Sequence, residues 1–203
     1  IISIFKEEKK LSDYAETKQG MATGNNNKFL RFWFEIDFNK IGFYMHDVQE
    51  ALESGKKWFP YNKNGNFRKW YGNNEVVIAF DRENYNILAN MGNHLPSRQY
   101  YFKKGITWSL FGWEAFSVRF KDYGFVFDVS GSSAFMNDSL IYYILGFLSS
   151  SIAFYFLAIL APTVNFQIGN IADLPLIVPK DSQIIEQINS LVKENIYLAK
   201  SDW

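Results

Sequence analysis

LIYYILGFLSSSIAFYFLAILA, residues 140–161, is the stretch that decides which class of fold this chain adopts. It lies in a run without charged residues from Ser139 to Ala172, and it is as long as the roughly 20 apolar residues that cross a bilayer. Ser149–Ser151 interrupts it near its midpoint, and neither end carries a cluster of Lys or Arg. We therefore expect one or two helices buried in a large core. A membrane-associated protein stays open as an alternative, because hydropathy alone does not separate a buried helix from a spanning one.

Upstream of this segment, short runs of aromatic or β-branched residues alternate with Gly, Asn and Lys, which is typical of strands joined by loops. The runs that we interpret as strands are Phe29–Phe38, Glu75–Phe80, Tyr100–Phe102, Ile106–Ser109, Ala115–Phe120 and Phe125–Val129. Short helices are predicted at Asp47–Ser54, which Gly55 follows as a C-cap, and at Glu83–Met91. Asn64-Gly65 between aromatic residues predicts the turn of a β-hairpin.

Downstream, Asp181 is placed to cap a C-terminal helix. The spacing in this helix is that of a heptad seam with one polar position, formed by Ile184, Ile188, Leu191, Asn195 and Leu198. An ordinary amphipathic helix fits equally well, and we expect it to pack against a surface outside this chain. The sequence thus predicts an α+β fold with a mixed β-sheet and packed helices at residues 1–180, and a C-terminal helix at residues 181–203.

Composition narrows the function classes. The 203 residues are 48% hydrophobic, enough for one sizeable domain, and the formal net charge is zero. Any attraction to nucleic acid must therefore come from local clusters of charge. The chain has no Cys, which excludes disulfides and thiolate metal sites, and its two His are too few for a recognisable zinc motif. No secretory leader is visible and the first residue is not Met, so we expect a piece of a longer cytoplasmic protein.

The segment Lys56–Tyr71 carries five basic residues, six aromatic residues and no acid. Basic side chains neutralise phosphates, exposed rings stack on unpaired bases, and Asn amides suit the edge of adenine. A second basic cluster comprises Arg98, Lys103, Lys104, Arg119 and Lys121. Acidic residues concentrate near the N-terminus and in the tail, a segregation expected of a protein with one nucleic-acid face. A solvated hairpin with half-buried rings remains the alternative.

Catalytic motifs are missing. The sequence has no Gly-rich nucleotide loop, no phosphate-binding loop, no nucleophile elbow and no convincing set of metal-binding carboxylates. The five Pro are never adjacent, so the Asn/Asp-Pro-Pro-aromatic motif of amino-methyltransferases is absent as well. We expect no catalytic residue, no metal site and no cofactor site in this chain.

Several segments resemble one family, in order, over roughly residues 11 to 198. They are Gln19–Asn26 followed by Phe29, Lys57–Lys63, Phe67–Tyr71, Ile106–Ser109, Phe116–Arg119, Gly124–Asp128, Pro162–Ile171 and Leu174-Pro175. The most specific of them, Lys57–Lys63 with Phe67–Tyr71, resembles the C-terminal target-recognition region of PglX-type adenine-specific DNA methyltransferases. These enzymes serve BREX phage-defence systems, and related regions occur in type II restriction–modification methyltransferases.

The resemblance implies a target-recognition domain like those of type I specificity subunits, ending in a helix that packs on the methyltransferase body. It implies that the catalytic domain and its S-adenosylmethionine belong to another part of the parent chain. The implied partners are double-stranded DNA, that catalytic domain and other phage-defence subunits. No association with a membrane is implied. Residues 140–161 are then buried helix.

On this interpretation, one set of side chains contacts phosphates, namely Lys57, Lys63, Arg68, Lys69, Lys103 and Lys104. A second set is expected at base edges, namely Gln19, Asn25, Asn27, Arg98 and Arg119. The alternative from another class is a protein-interaction module, in which an aromatic surface and the heptad helix bind a partner subunit or a phage protein.

Overall fold

The structure, a computed structural model, describes residues 2–112 and 115–203. Within these ranges the strands form two four-stranded sheets. The first sheet has the order β1 (Ala15–Lys18), β8 (Ser133–Met136), β5 (Gly105–Trp108) and β6 (Val118–Lys121), and all its neighbours are antiparallel. The second has the order β2 (Leu30–Phe32), β4 (Val76–Ala79), β3 (Trp58–Asn62) and β7 (Val126–Phe127). It is a mixed sheet, because β7 runs parallel to β3.

Helices pack against both sheets. They are α1 (Ile2–Glu7), α2 (Asn26–Phe29), α3 (Val48–Glu53), α4 (Arg82–Ala89), α5 (Ile141–Leu148), α6 (Ser151–Leu160), α7 (Ile168–Ala172) and α8 (Ser182–Asp202). Two of them confirm the predicted short helices, and Asp47 and Asp81 cap these through their carboxylates. The α+β class with a C-terminal helix is confirmed.

Residues 140–161 form two helices rather than one. The side chain of Ser150 accepts a hydrogen bond from the backbone N–H of Ala153 at 3.2 Å and caps α6 immediately after α5 has ended. In the part of the chain that the structure describes, no single helix is both long and apolar enough to cross a bilayer. The pair α5 and α6 meets the length and composition together, but the two axes bend by 69°. Ile144, Leu145 and Leu157 are buried in the core that covers one face of the first sheet.

The second core joins the two sheets. Its members are mainly aromatic, and the ring of Phe135 on β8 lies 5.6 Å from that of Phe127 on β7. Beside this contact the backbone passes so close that a Cβ atom at Gly20 would lie 2.1 Å from the carbonyl oxygen of Phe127. Glycine at position 20 is therefore required where the N-terminal loop joins β7.

Three of the predicted local structures are wrong. Phe29–Phe38 is a strand only at Leu30–Phe32, because the carboxylate of Glu35 accepts the backbone N–H of Phe32 at 2.7 Å and starts a 3-10 turn. Tyr100–Phe102 is not a strand, and Arg98–Tyr100 forms a 3-10 turn. Asn64-Gly65 does not close a hairpin, since β3 pairs with β4 across a longer connection.

Helix α8 packs on α5 of the same chain. Its buried side chains are Val192 and Ile196, and a Cβ atom at Gly146 of α5 would lie 3.0 Å from the Cγ2 atom of Val192. This face differs from the predicted heptad seam, in which Ile184, Leu191 and Leu198 are exposed. The helix therefore has one apolar face against the body and a second one towards solvent.

Candidate nucleic-acid interface

The segment Lys56–Tyr71 divides between core and surface. Trp58, Phe59 and Tyr61 lie on β3 and are buried, because both faces of this central strand are covered. Its rings therefore mostly build the core, and Phe67 is the large side chain of the segment that is exposed. The expected stacking surface is not formed here.

Lys63 immediately follows β3, at the end of this central strand. Its ammonium lies 3.3 Å from the carboxylate of Asp128, which also accepts hydrogen bonds from the hydroxyl of Tyr61 at 2.7 Å and the backbone N–H of Ser130 at 2.8 Å. Burial and the neighbouring Asp128 raise the pKa of Tyr61 well above its ordinary value, so this hydroxyl stays a donor. The network holds Lys63 at the surface in a defined position.

A groove of about 550 Å³ brings Lys63 together with two Asn residues of α2. Its lining is Asn26, Asn27, Leu30, Arg31, Phe32, Glu35, Lys63 and Val76. The guanidinium of Arg31 donates to the carbonyl oxygens of Asn27 and Leu30 at 2.7 and 2.6 Å. We call this set the Asn27–Lys63 groove. Asn25 lies beside it, but its side-chain oxygen caps α2 by accepting the N–H of Lys28 at 3.1 Å.

A second basic patch surrounds Gln99. Arg98 and Lys103 line one shallow cleft with Gln99, and Lys103 and Lys104 line a neighbouring one with the same residue. The ammonium of Lys104 lies 2.5 Å from the carboxylate of Asp138, whereas Arg98 and Lys103 are exposed. The structure thus brings three of the predicted residues together.

Arg68 and Lys69 hold the end of the chain in place. The guanidinium of Arg68 donates to the carboxylate of Asp202 at 2.9 Å and lies 4.9 Å from the ring centroid of Trp203. The ammonium of Lys69 donates to the carbonyl oxygen of Ser149 at 2.8 Å, at the break between α5 and α6. Both cations are engaged within the chain, and neither lines the Asn27–Lys63 groove.

Arg119 is incorrectly predicted as a base-reading residue. It is only 1% exposed, and its guanidinium donates to the hydroxyl oxygens of Ser117 and Ser109 at 2.6 and 3.2 Å. Burial lowers the pKa of Arg119 to about 10. Arg119 is therefore packed inside the protein, and its Nε atom has no hydrogen-bond partner among the residues that the structure describes.

Gln19 and Lys57 are both exposed. Gln19 immediately precedes the close passage at Gly20.

The backbone N–H of Lys57 donates to the carbonyl oxygen of Lys40 at 3.2 Å, and the ammonium of Lys56 donates to the carbonyl oxygen of Asn39 at 2.6 Å. Lys57 therefore lies next to Lys40. Lys40 belongs to the segment that carries the exposed rings described below.

The exposed rings lie in the segment 32–44, which was predicted to be a strand for most of its length. Its exposed members are Phe32, Trp33, Phe34, Phe38 and Tyr44. We call this set the aromatic segment. The consecutive rings at 32–34 already indicated it, because successive side chains of a strand point to opposite faces and three rings in a row cannot all face one core.

Next to the aromatic segment lies a cavity of about 310 Å³, the aromatic pocket. It is lined by Trp33, Phe38, Phe43, Tyr44, Pro60, Tyr71, Asn74, Val77, Asp122, Tyr123, Phe125 and Lys200. Burial raises the pKa of Tyr71 above its ordinary value, which keeps its hydroxyl protonated. Rings dominate the walls, and an amide, a carboxylate and an ammonium supply the polar groups.

No group of three or more His, Asp or Glu able to hold a metal ion occurs in residues 2–112 and 115–203. The carboxylates of the basic patches form ion pairs with Lys or cap the backbone. The arrangement can therefore bind phosphates, amides and flat rings, and it offers side chains for recognition.

No family model matches the sequence. Two curated proteins are similar to it. The adenine-specific methyltransferase PglX of Lacticaseibacillus casei (strain Zhang) is 37% identical over 202 residues, 96% of this chain and 16% of that protein. The adenine-specific methyltransferase BrxX of Escherichia coli O9:H4 (strain HS) is 35% identical over 184 residues, 89% of this chain and 14% of that protein. The chain spans about a sixth of the length of these relatives. It is therefore a PglX-type region, homologous to one part of these adenine-specific methyltransferases.

Proposed function

We propose that this chain is the DNA target-recognition region of an adenine-specific methyltransferase that acts in phage defence or restriction–modification in the cytoplasm. Residues 1–180 read the DNA, and the helix at 181–203 joins them to the methyltransferase body. The observation that carries the proposal is the Asn27–Lys63 groove beside the aromatic segment, in a chain homologous to adenine-specific methyltransferases. Catalysis and S-adenosylmethionine belong to another part of the parent protein.

The chemistry of the groove suits a DNA strand. Arg31 and Lys63 supply positive charge for phosphates, and Asn27 supplies an amide that can donate to and accept from the edge of adenine. The backbone contacts that fix Arg31 reduce the entropy lost when it binds a phosphate. Lys57 and the patch of Arg98 and Lys103 would extend the contact along the phosphate backbone.

The test measures how tightly the whole chain binds a DNA duplex, with fluorescence anisotropy as the readout and at a series of salt concentrations. Lys57→Ala, Lys63→Ala and Lys103→Ala should each weaken binding and lower the slope of log K against log salt by about one. Lys180→Ala is the matched control, since Lys180 is exposed and lies just before α8. Unchanged affinity and slope in all three variants would contradict the proposed contacts.

Sequence specificity has its own measurement. Selection from a pool of random duplexes should enrich a short site that contains adenine, and Asn27→Ala should reduce the enrichment more than the overall affinity. Binding without enrichment would mean that the region positions DNA but does not read it. The non-catalytic part is tested by calorimetry, in which S-adenosylmethionine should not bind the chain by itself.

A second candidate function is a protein-interaction module. The observation that favours it is the exposed apolar stripe of Ile184, Leu191 and Leu198 on α8. An aromatic and aliphatic interface would lose little affinity between low and high salt, whereas DNA binding falls steeply. The salt series on a captured partner therefore separates the two functions.

A further inference from the structure

We propose that the aromatic pocket binds one unstacked nucleobase of the DNA, which deepens and rests on the proposed DNA-binding function. The pocket has the size of a small-ligand site, about 310 Å³. A base pair within a duplex does not enter such a cavity, whereas a single base turned out of the stack fits between its rings. This site is separate from the Asn27–Lys63 groove, because the two share no lining residue.

The walls of the pocket match a flat aromatic ligand. Seven aromatic residues line it, namely Trp33, Phe38, Phe43, Tyr44, Tyr71, Tyr123 and Phe125. Phe38 and Phe43 contact each other with ring centroids 5.0 Å apart, but Phe38 and Tyr44 remain largely exposed. Every base has a π-face that stacks on such side chains, and the exposed rings have ring surface left for one.

The polar groups of the pocket are placed to recognise the edge of a base. One carboxylate oxygen of Asp122 accepts the backbone N–H of Tyr123 at 2.9 Å, which fixes the carboxylate as an acceptor. The side-chain oxygen of Asn74 accepts from the amide of Asn62 at 3.2 Å, so Asn74 presents N–H groups as donors. A carboxylate acceptor and an amide donor can together recognise a base edge, because the Watson–Crick edge of every base presents a donor next to an acceptor.

Lys200 supplies the charge for the backbone of that nucleotide. It lines the pocket, and its ammonium lies 4.9 Å from the centroid of the Tyr71 ring. Lys40 lies on the same segment as Phe38, and the backbone N–H of Lys57 donates to the carbonyl oxygen of Lys40. A ring-lined pocket with cations at its margin is the arrangement by which proteins bind single-stranded nucleic acid.

Tyr44 is held in the pocket wall at a conformational cost. Its φ is 60°, in the left-handed region that bulky residues rarely adopt, and its side chain is 71% exposed. A Cβ atom at Gly124 would lie 2.6 Å from the backbone nitrogen of Tyr44, so this close approach requires the glycine. Core packing does not account for a strained and exposed ring, whereas a ligand that stacks on it does.

The experiment uses the whole chain and oligonucleotides that carry the fluorescent base 2-aminopurine, either in a single strand or opposite an abasic site in a duplex. Binding should quench or otherwise change the fluorescence. Phe38→Ala and Tyr44→Ala should each weaken binding of these probes about tenfold and reduce the signal. Tyr155→Ala is the matched control, because Tyr155 is 70% exposed on α6 and lies outside the pocket. Circular dichroism and the urea midpoint verify that the variants are folded.

Edge recognition gives a second readout. The native chain should bind a single strand of ordinary bases more tightly than the same strand with abasic sites, and Asp122→Ala and Asn74→Ala should each reduce this difference. An unchanged difference in both variants would overturn the assignment of Asp122 and Asn74 to a base edge.

The outcomes separate this inference from the proposed function. If the chain binds plain duplex but Phe38→Ala and Tyr44→Ala change neither affinity nor fluorescence, the pocket assignment is overturned and the duplex-binding function stands. If it binds the single strand with a fluorescence change but not plain duplex, the pocket assignment stands and the duplex-reading function is overturned. If it binds no oligonucleotide, both are overturned, and an aromatic protein partner becomes the occupant to test.

Discussion

Replacing the buried Lys121 by Met should stabilise the folded chain at neutral pH. Lys121 is 1% exposed, and its ammonium has no hydrogen-bond partner among residues 2–112 and 115–203. The rings of Phe127 and Phe135 lie on it with centroids 4.5 Å away. A charge in this position has lost its hydration, and ring faces compensate for only part of that loss.

The magnitude follows from the pKa. Burial lowers the pKa of Lys121 from 10.5 to about 7. At about 1.4 kcal/mol per pKa unit, the ionised form costs up to about 4–5 kcal/mol of stability. Cation–π attraction from two rings offsets on the order of 1–2 kcal/mol, so Lys121→Met should gain about 2–3 kcal/mol.

The pH dependence has a definite sign. Because the folded pKa lies below the unfolded one, the unfolded chain binds more protons between pH 7 and about 10, and stability rises with pH in this window. The destabilisation is complete below the folded pKa of Lys121, which is about 7, and disappears above its unfolded value. Between pH 7 and 9 the native chain should gain about 1–2 kcal/mol from this group. The Met variant should lack this gain.

Urea unfolding at pH 7 and pH 9, followed by tryptophan fluorescence, measures both effects. Lys180→Met is the control, since Lys180 is exposed and the same substitution there should change stability by less than about 0.5 kcal/mol. A Lys121→Met variant that is less stable at pH 7, or that keeps the native pH dependence, would refute the reasoning.

Other substitutions test the packing and the corrected site. Arg119→Ala should cost about 3 kcal/mol in urea unfolding, because it opens a cavity and removes the partner of the Ser109 hydroxyl, and it should leave the salt slope of DNA binding unchanged under conditions where the variant is folded. Ile196→Ala should cost about 2–4 kcal/mol in the same assay and the exposed Leu198→Ala less than about 1 kcal/mol; equal losses would contradict the observed packing face of α8. Arg68→Ala and Asp202→Ala should each cost below about 1 kcal/mol, and a double-mutant cycle should show a small coupling that salt weakens further.

Local patterns predicted the elements whose own residues decide their structure. Glu75–Phe80 contains β4, and Asp47 and Asp81 cap the two short helices that composition indicated. The pattern failed at Phe29–Phe38, where the carboxylate of Glu35 accepts the backbone N–H of Phe32 and the chain continues as a 3-10 turn. It failed again at Asn64-Gly65, since a turn dipeptide forms a hairpin only when the adjoining residues pair directly.

The candidate site was predicted in part, because side-chain chemistry can be read from the sequence whereas solvent exposure depends on the fold. Asn27 and Lys63 were both chosen for their side-chain chemistry, and the fold brings them into one groove. Arg31, which completes that groove, was missed because a lone Arg in an aromatic run gives no signal of its own. Arg119 was chosen as a surface cation, but the face that a residue of β6 presents depends on which side of the sheet is covered.

By itself the sequence determined the α+β class, the helical character of residues 140–161, the missing catalytic motifs and the resemblance to PglX-type methyltransferases. These are properties of composition, local hydrogen bonding and residue order, which do not depend on distant contacts. The tertiary structure decided which rings and cations face solvent. Burial of Lys121 and exposure of Tyr44 follow from how two sheets and their loops pack, and such long-range contacts have no periodicity in the sequence.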